Sequence, residues 1–198
     1  MLISAAVRRL RSCRQAPDGI LSVLVSPLFL KLCVRSPSTV NTYNAEDVMI
    51  RGNRIADTSF TAIWLVTHIY TVARVTIKDN TITRVGRTAP TYYAISVDHI
   101  PPRGLPAGAP WPGTVGDITI EGNVVRDSPN GIAFSNVGGT NLIRANRVEN
   151  SSTAGKCQSG YSIRPLASSK TVFCDNVGVN CARYFVAPDV ASRANDLR

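Results

Sequence analysis

The chain has 198 residues, of which 44% are hydrophobic and 18% are charged, and it carries a formal net charge of +9. This length predicts one domain that is long enough to bury a core, and the many Val, Ile, Thr, Gly and Asn residues favour strands and turns over helices. Nucleic-acid-binding proteins concentrate their basic residues on one surface, whereas the arginines beyond residue 40 are scattered along this chain. We therefore expect no nucleic-acid partner.

Residues 1–44 form a basic segment whose first 16 residues contain no acid. This segment could form a short amphipathic helix that caps a solenoid, be poorly ordered, or act as a targeting signal. The apolar run Ile20–Val34 contains Pro27 and Lys31 and is too short for a membrane span. We favour a cap or a poorly ordered segment, and we predict no firm membrane segment.

From residue 45 on, the chain repeats a short phrase that reads apolar, any, apolar, any, any, Asn, any, apolar. Its asparagines lie 27, 43 and 23 residues apart: Asn53, Asn80, Asn123 and Asn146. Recurrence at this spacing is typical of a solenoid. The alternation of apolar residues predicts strands with one buried face.

Each unit contains three short strands and no helical pattern, which predicts an all-β fold, a parallel β-helix of about five coils over residues 45–198. Asn tolerates the left-handed backbone region, so each asparagine is expected to form a turn and to stack on the next one. We predict a structural role for these asparagines. The longest step contains a Pro/Gly-rich loop at residues 99–116, which we expect to project from the coil with Trp111 as its only large aromatic residue.

The repeated phrases, over about residues 45–186, resemble the right-handed parallel β-helix repeats of the pectate-lyase-like superfamily. The resemblance implies a right-handed coil and an extracellular or cell-surface location. It also implies a carbohydrate-active protein, polysaccharide lyase-like or glycoside hydrolase-like, that acts on an acidic polysaccharide. Neither the calcium-and-arginine motif of pectate lyases nor the Asp-Pro-His-type motif of the epimerases is found in the sequence. The alternative is a non-catalytic glycan-binding module, adhesin-like or tailspike-like, and no cofactor or metal is assigned.

The end of each unit carries a short apolar pattern that predicts the third strand of each coil. Aligning these strands places one residue per coil in an inward column: Ile63, Ile95, Ile132 and Tyr161. Three positions further on, neighbouring coils about 4.8 Å apart would present an outward row: Val66, Asp98, Ser135 and Arg164. In proteins of the resembled superfamily the working groove lies over the outer face of one sheet, so we expect a site along this row.

The candidate catalytic residues are Asp98, His99 and Arg164. An arginine can bind the carboxylate of a sugar acid, an imidazole can shuttle a proton, and a carboxylate can orient or neutralise the imidazole. The alternative is that Asp98 only begins the loop and that His99 is an ordinary surface residue. The candidate substrate-binding residues are Tyr93, Trp64, Trp111, Ser135, Asn136 and His68.

Overall fold

A computed structural model describes residues 21–22, 28–30, 33–35, 40–42, 45–86, 91–102, 104–106, 109–149 and 159–198. The helix cap expected at the start of the chain lies outside the described residues.

The described residues form 22 β-strands and no helix, so this part of the chain contains no helix that could cross a membrane. In chain order the strands are β1 (Leu21–Ser22), β2 (Leu28–Leu30), β3 (Cys33–Arg35), β4 (Val40–Thr42), β5 (Ala45–Glu46), β6 (Val48–Arg51), β7 (Arg54–Ala56), β8 (Ile63–Thr67), β9 (Thr71–Lys78), β10 (Thr81–Thr83), β11 (Tyr93–His99), β12 (Thr114–Glu121), β13 (Val124–Arg126), β14 (Asn130–Ser135), β15 (Thr140–Arg144), β16 (Arg147–Glu149), β17 (Ser159–Arg164), β18 (Lys170–Cys174), β19 (Val177–Val179), β20 (Tyr184–Val186), β21 (Ala191–Arg193) and β22 (Asp196–Leu197).

The strands pair in parallel and form three sheets, which we name A, B and C. Sheet A has the order β1-β4-β8-β11-β14-β17-β20, sheet B the order β2-β6-β9-β12-β15-β18-β21 with β5 also paired to β9, and sheet C the order β3-β7-β10-β13-β16-β19-β22. From β6 on, the chain passes through sheets B, C and A in turn five times before β21 and β22 begin another coil. This confirms the all-β parallel β-helix with about five coils after residue 45. Strands β1 to β4 extend the same sheets on the N-terminal side of that residue.

The core lies between the three sheets, and each strand from β6 to β18 contributes buried side chains to it. In sheet A the predicted inward column is confirmed by direct pairing, and its members are fully buried: Ile63, Ile95, Ile132 and Tyr161. Sheets B and C add similar buried columns: Ile50, Ile77, Ile120, Ile143 and Phe173 in B, and Ile55, Ile82, Val125 and Val148 in C. Burial of each such side chain stabilises the fold by about 1.5–3 kcal/mol.

A ladder of asparagines follows the turn between sheets B and C. In its first step, Oδ1 of Asn80 accepts hydrogen bonds from the backbone N–H of Asn53 at 3.0 Å and from its amide at 2.8 Å. The same pair of bonds links each member to the next: Asn53, Asn80, Asn123, Asn146, Asn176 and Asn195. The structural role is therefore confirmed. However, the residue in the left-handed backbone region is not the asparagine itself but the residue before it, such as Asp79 with a φ of 55°. The side chain of each asparagine lies inside the turn and stacks on the next one.

The Pro/Gly-rich loop is shorter than predicted, because β11 ends at His99 and β12 begins at Thr114. The loop returns to the coil where the backbone N–H of Thr114 donates to the carbonyl of Tyr70 at 3.2 Å. Gly113 has a φ of 72°, and a Cβ at this position would lie 2.2 Å from the same carbonyl oxygen. Only glycine fits this contact, which fixes the loop at the corner between sheets A and B.

Candidate functional site

The outer face of sheet A carries the predicted polar row. Asp98 pairs directly with Ser135, and Ser135 pairs with Arg164, on the adjacent strands β11, β14 and β17. A second outward column runs beside this row and has the predicted register: Trp64, Ser96, Ala133 and Ser162. Because strands of neighbouring coils lie about 4.8 Å apart, residues distant in sequence are brought into one continuous surface.

These two columns form the floor of a cavity of about 380 Å³, which we name the sheet A groove. It is lined by Thr61, Trp64, Thr91, Tyr92, Tyr93, Ser96, Asp98, Ala133, Ser135, Ser162 and Arg164. Its surface combines aromatic rings, hydroxyl groups, one carboxylate and one guanidinium group. Five of the sequence-predicted site residues therefore lie together: Trp64, Tyr93, Asp98, Ser135 and Arg164.

Asp98 is the carboxylate of this groove, and three neighbouring side chains contact it. Ser96 donates a hydrogen bond to its Oδ2 atom, and Trp64 and Ser135 also hydrogen-bond to the carboxyl group. Burial raises the pKa of Asp98, and these three hydrogen bonds oppose that shift without cancelling it. A carboxyl group with a raised pKa can give or accept a proton closer to neutral pH than an exposed one can.

The structure does not bring His99 into the groove. Its side chain is only 4% exposed. Its Nε2 atom lies 3.2 Å from the carbonyl oxygen of Pro112, and its ring meets Trp111 edge-on at 5.1 Å between centroids. Burial lowers the pKa of His99. Neighbouring residues on a strand face opposite sides, so His99 faces away from the row of Asp98 and anchors the loop.

The remaining predicted binding residues also lie away from the groove. Trp111 is 36% exposed at the loop, where it packs against His99. Asn136 occupies a turn with a φ of 56°, and its amide donates to the carbonyl of His99 at 3.2 Å. His68 is exposed, and its Nδ1 atom lies 3.0 Å from the carbonyl oxygen of Ile100. All three residues therefore lie at the corner between sheets A and B.

The groove continues toward the C-terminal coil in a direction that the sequence did not indicate. A second cavity of about 590 Å³ shares Tyr93, Ser162 and Arg164 with the first. Its further lining residues come from β17, β20 and the turn before β20: Ser159, Ala182, Arg183, Tyr184 and Phe185. Extending the second outward column by one strand, from Ser162 to Phe185, would have found this part of the site.

Within the described residues, no three or more His, Cys, Asp or Glu side chains are grouped so that they could hold a metal ion. The thiol of Cys174 is buried, and the Sγ atom of Cys181 lies 3.5 Å from the carbonyl oxygen of Val179. Neither belongs to the residues that line the groove. No protein-family model, curated protein or solved structure matches the chain.

Proposed function

We propose that this chain is a β-helix protein of the pectate-lyase-like kind that binds an acidic polysaccharide along the outer face of sheet A. The observation that carries the proposal is the continuous groove over sheet A, in which aromatic rings, hydroxyls and a guanidinium group face the same space. Its length follows the stacking direction of the coils, which suits an extended chain of sugar residues.

The side chains of the groove offer the contacts that sugars need. Trp64 and Tyr93 present apolar rings with a polar tip, which can stack on a sugar face. Ser135 and Ser162 supply hydroxyls that both donate and accept hydrogen bonds. The exposed guanidinium of Arg164 can bind a carboxylate through two parallel hydrogen bonds. Together these groups favour a glycan that carries acidic substituents.

The binding role can be tested with a pair of tryptophan variants. Trp64→Ala should weaken the affinity for polyuronate oligosaccharides about tenfold, because it removes a stacking surface and a hydrogen-bond donor to Asp98. Trp111→Ala is the matched control, because this tryptophan packs against His99 at the loop. The affinity of this variant for the same oligosaccharides should stay unchanged. Isothermal titration calorimetry measures both. Equal losses, or no loss in either variant, would contradict a binding site in the groove.

Catalysis by the same groove is a second candidate function, and the raised pKa of Asp98 favours it. Hydrolysis of glycosides generally uses two carboxyl groups, whereas Asp98 is the only carboxylate among the described residues that line the groove. A lyase reaction fits better. Asp98 would remove the proton next to the uronic carboxylate, and the C–O bond on the neighbouring carbon would break as the C=C bond forms. The released sugar oxygen would leave with the cleaved chain and take a proton from solvent.

Turnover can be separated from binding by following the absorbance of unsaturated products on a panel of polyuronates. If the chain is a lyase, Asp98→Asn should abolish turnover and retain binding. If His99 has the proton-shuttling role expected from the sequence, His99→Gln should also abolish turnover. Its position at the loop instead predicts that His99→Gln keeps its turnover. Binding without turnover in the unsubstituted protein would select the non-catalytic module.

A further inference from the structure

The sheet A groove has its two kinds of charge at different places. We propose that it selects a mixed glycan, placing an anionic substituent between Arg164 and Arg183 and a neutral sugar residue over Asp98. This specificity depends on the non-catalytic glycan-binding function of the same groove, because a lyase would place a uronic acid residue over Asp98. It excludes a homopolyuronate as the preferred ligand, because such a chain would also place a carboxylate over Asp98.

Arg164 and Arg183 differ from most arginines of the described chain. Seven others form ion pairs with Asp or Glu: Arg51, Arg74, Arg84, Arg126, Arg144, Arg147 and Arg198. Within the described residues, no carboxylate forms an ion pair with either Arg164 or Arg183, although both line the same cavity. An anionic group of a ligand could form the ion pair that no carboxylate of the described residues forms with these two guanidinium groups.

The position of the Arg164 side chain sets where this anion would bind. Its guanidinium carbon lies 4.3 Å from the centroid of the Phe185 ring. Phe185 belongs to β20, the neighbour of β17 on the side away from Ser135. Stacking on Phe185 therefore holds the charge of Arg164 toward Arg183 and away from Asp98.

Asp98 disfavours an anionic group at the other end of the groove. Its strand, β11, lies two strand spacings from β17, which is about 10 Å along the stack. An ionised Asp98 would repel a carboxylate placed over it, and a protonated Asp98 would donate a hydrogen bond to a sugar hydroxyl. A neutral sugar residue is therefore favoured at this end of the groove when Asp98 is ionised.

The test compares three oligosaccharides of equal length by isothermal titration calorimetry: a homopolyuronate, an alternating chain of uronic acid and neutral sugar, and a neutral chain. The alternating chain should bind the unsubstituted protein about tenfold tighter than the homopolyuronate does. Arg183→Gln should lose about tenfold in affinity for the alternating chain, the effect of one charged hydrogen bond, and should retain its affinity for the neutral chain. In Asp98→Asn, the affinities for the alternating chain and for the homopolyuronate should differ less than they do in the unsubstituted protein.

Arg51→Gln is the matched control, because it removes the same charge from sheet B, where Arg51 pairs with Asp79. Circular dichroism and the Tm verify that each variant is folded. Equal affinities for the alternating chain and the homopolyuronate, or an equal loss in Arg51→Gln and Arg183→Gln, would overturn the proposed specificity but leave glycan binding intact. Failure of all three oligosaccharides to bind would overturn both proposals.

Discussion

Truncating one asparagine in the middle of the ladder tests how much the turns stabilise the coil. Asn123 is fully buried, and its Nδ2 atom lies 2.9 Å from the carbonyl of Ile77 and 3.0 Å from Oδ1 of Asn146. Its own Oδ1 accepts from the backbone N–H and the amide of Asn80, at 3.0 and 2.8 Å. Asn123→Ala removes all of these bonds without replacing any of them.

The expected loss follows from the groups that remain behind. In Asn123→Ala the backbone N–H of Asn80 loses its acceptor, and the carbonyl of Ile77 loses a donor. Each buried polar group that is left unsatisfied costs about 1–3 kcal/mol. The free energy of unfolding should therefore fall by about 2–6 kcal/mol.

Urea unfolding followed by circular dichroism measures this change from the midpoint at a constant m-value. Asn195→Ala is the matched control, because Asn195 makes the same two bonds to Asn176 but lies partly exposed at the last rung. Water can replace its bonds there, so the loss should be only about 1 kcal/mol. Equal losses in the two variants would refute the reasoning that burial of the ladder determines its contribution.

Three further substitutions test other features of the fold. Because burial raises the pKa of Asp98 above its ordinary value of 3.8, the folded state keeps this proton to higher pH than the unfolded chain, and its stability falls as the pH rises through that range. Asp98→Asn should therefore raise the Tm at neutral pH, and this increase in Tm should disappear well below pH 3.8. An increase in Tm of equal size at every pH would contradict this reasoning. Gly131→Ala should destabilise the fold by about 1–3 kcal/mol or more, because the new Cβ would lie 2.2 Å from the carbonyl oxygen of Gly160. A Tm equal to that of the unsubstituted protein would contradict this close contact. Arg74→Ala breaks the exposed ion pairs with Glu46 and Asp47, so the urea midpoint should barely change. A large fall in the midpoint would be inconsistent with solvent screening.

The position of His99 outside the groove is a feature that the sequence did not predict. Counting along the chain places it next to Asp98, and both residues belong to β11. On a strand, however, adjacent side chains face opposite sides, and the loop supplies Trp111 and Pro112 to cover the imidazole. The loop contains too many prolines and glycines for a periodic pattern, so its path over His99 could not be derived from its residues.

The C-terminal end of the groove was missed for a different reason. The residues around Tyr184 and Phe185 are recognisable as a final strand, but the repeat phrase before them is degraded and gives no register. The structure supplies that register by pairing Ser162 with Phe185. This pairing brings Arg183 to the same cavity as Arg164.

The sequence by itself determined the coil. The two-residue alternation of apolar side chains and the recurring asparagine are local properties, and several copies agree on which residues face inward, so the columns of sheet A could be aligned correctly from residue 63 to residue 164. Only the tertiary structure decided which outward residues form a site. The raised pKa of Asp98 and the stacking of Arg164 on Phe185 depend on burial and on neighbours from coils distant in sequence. Such properties arise when coils stack and exclude water, and no single stretch of the chain contains them.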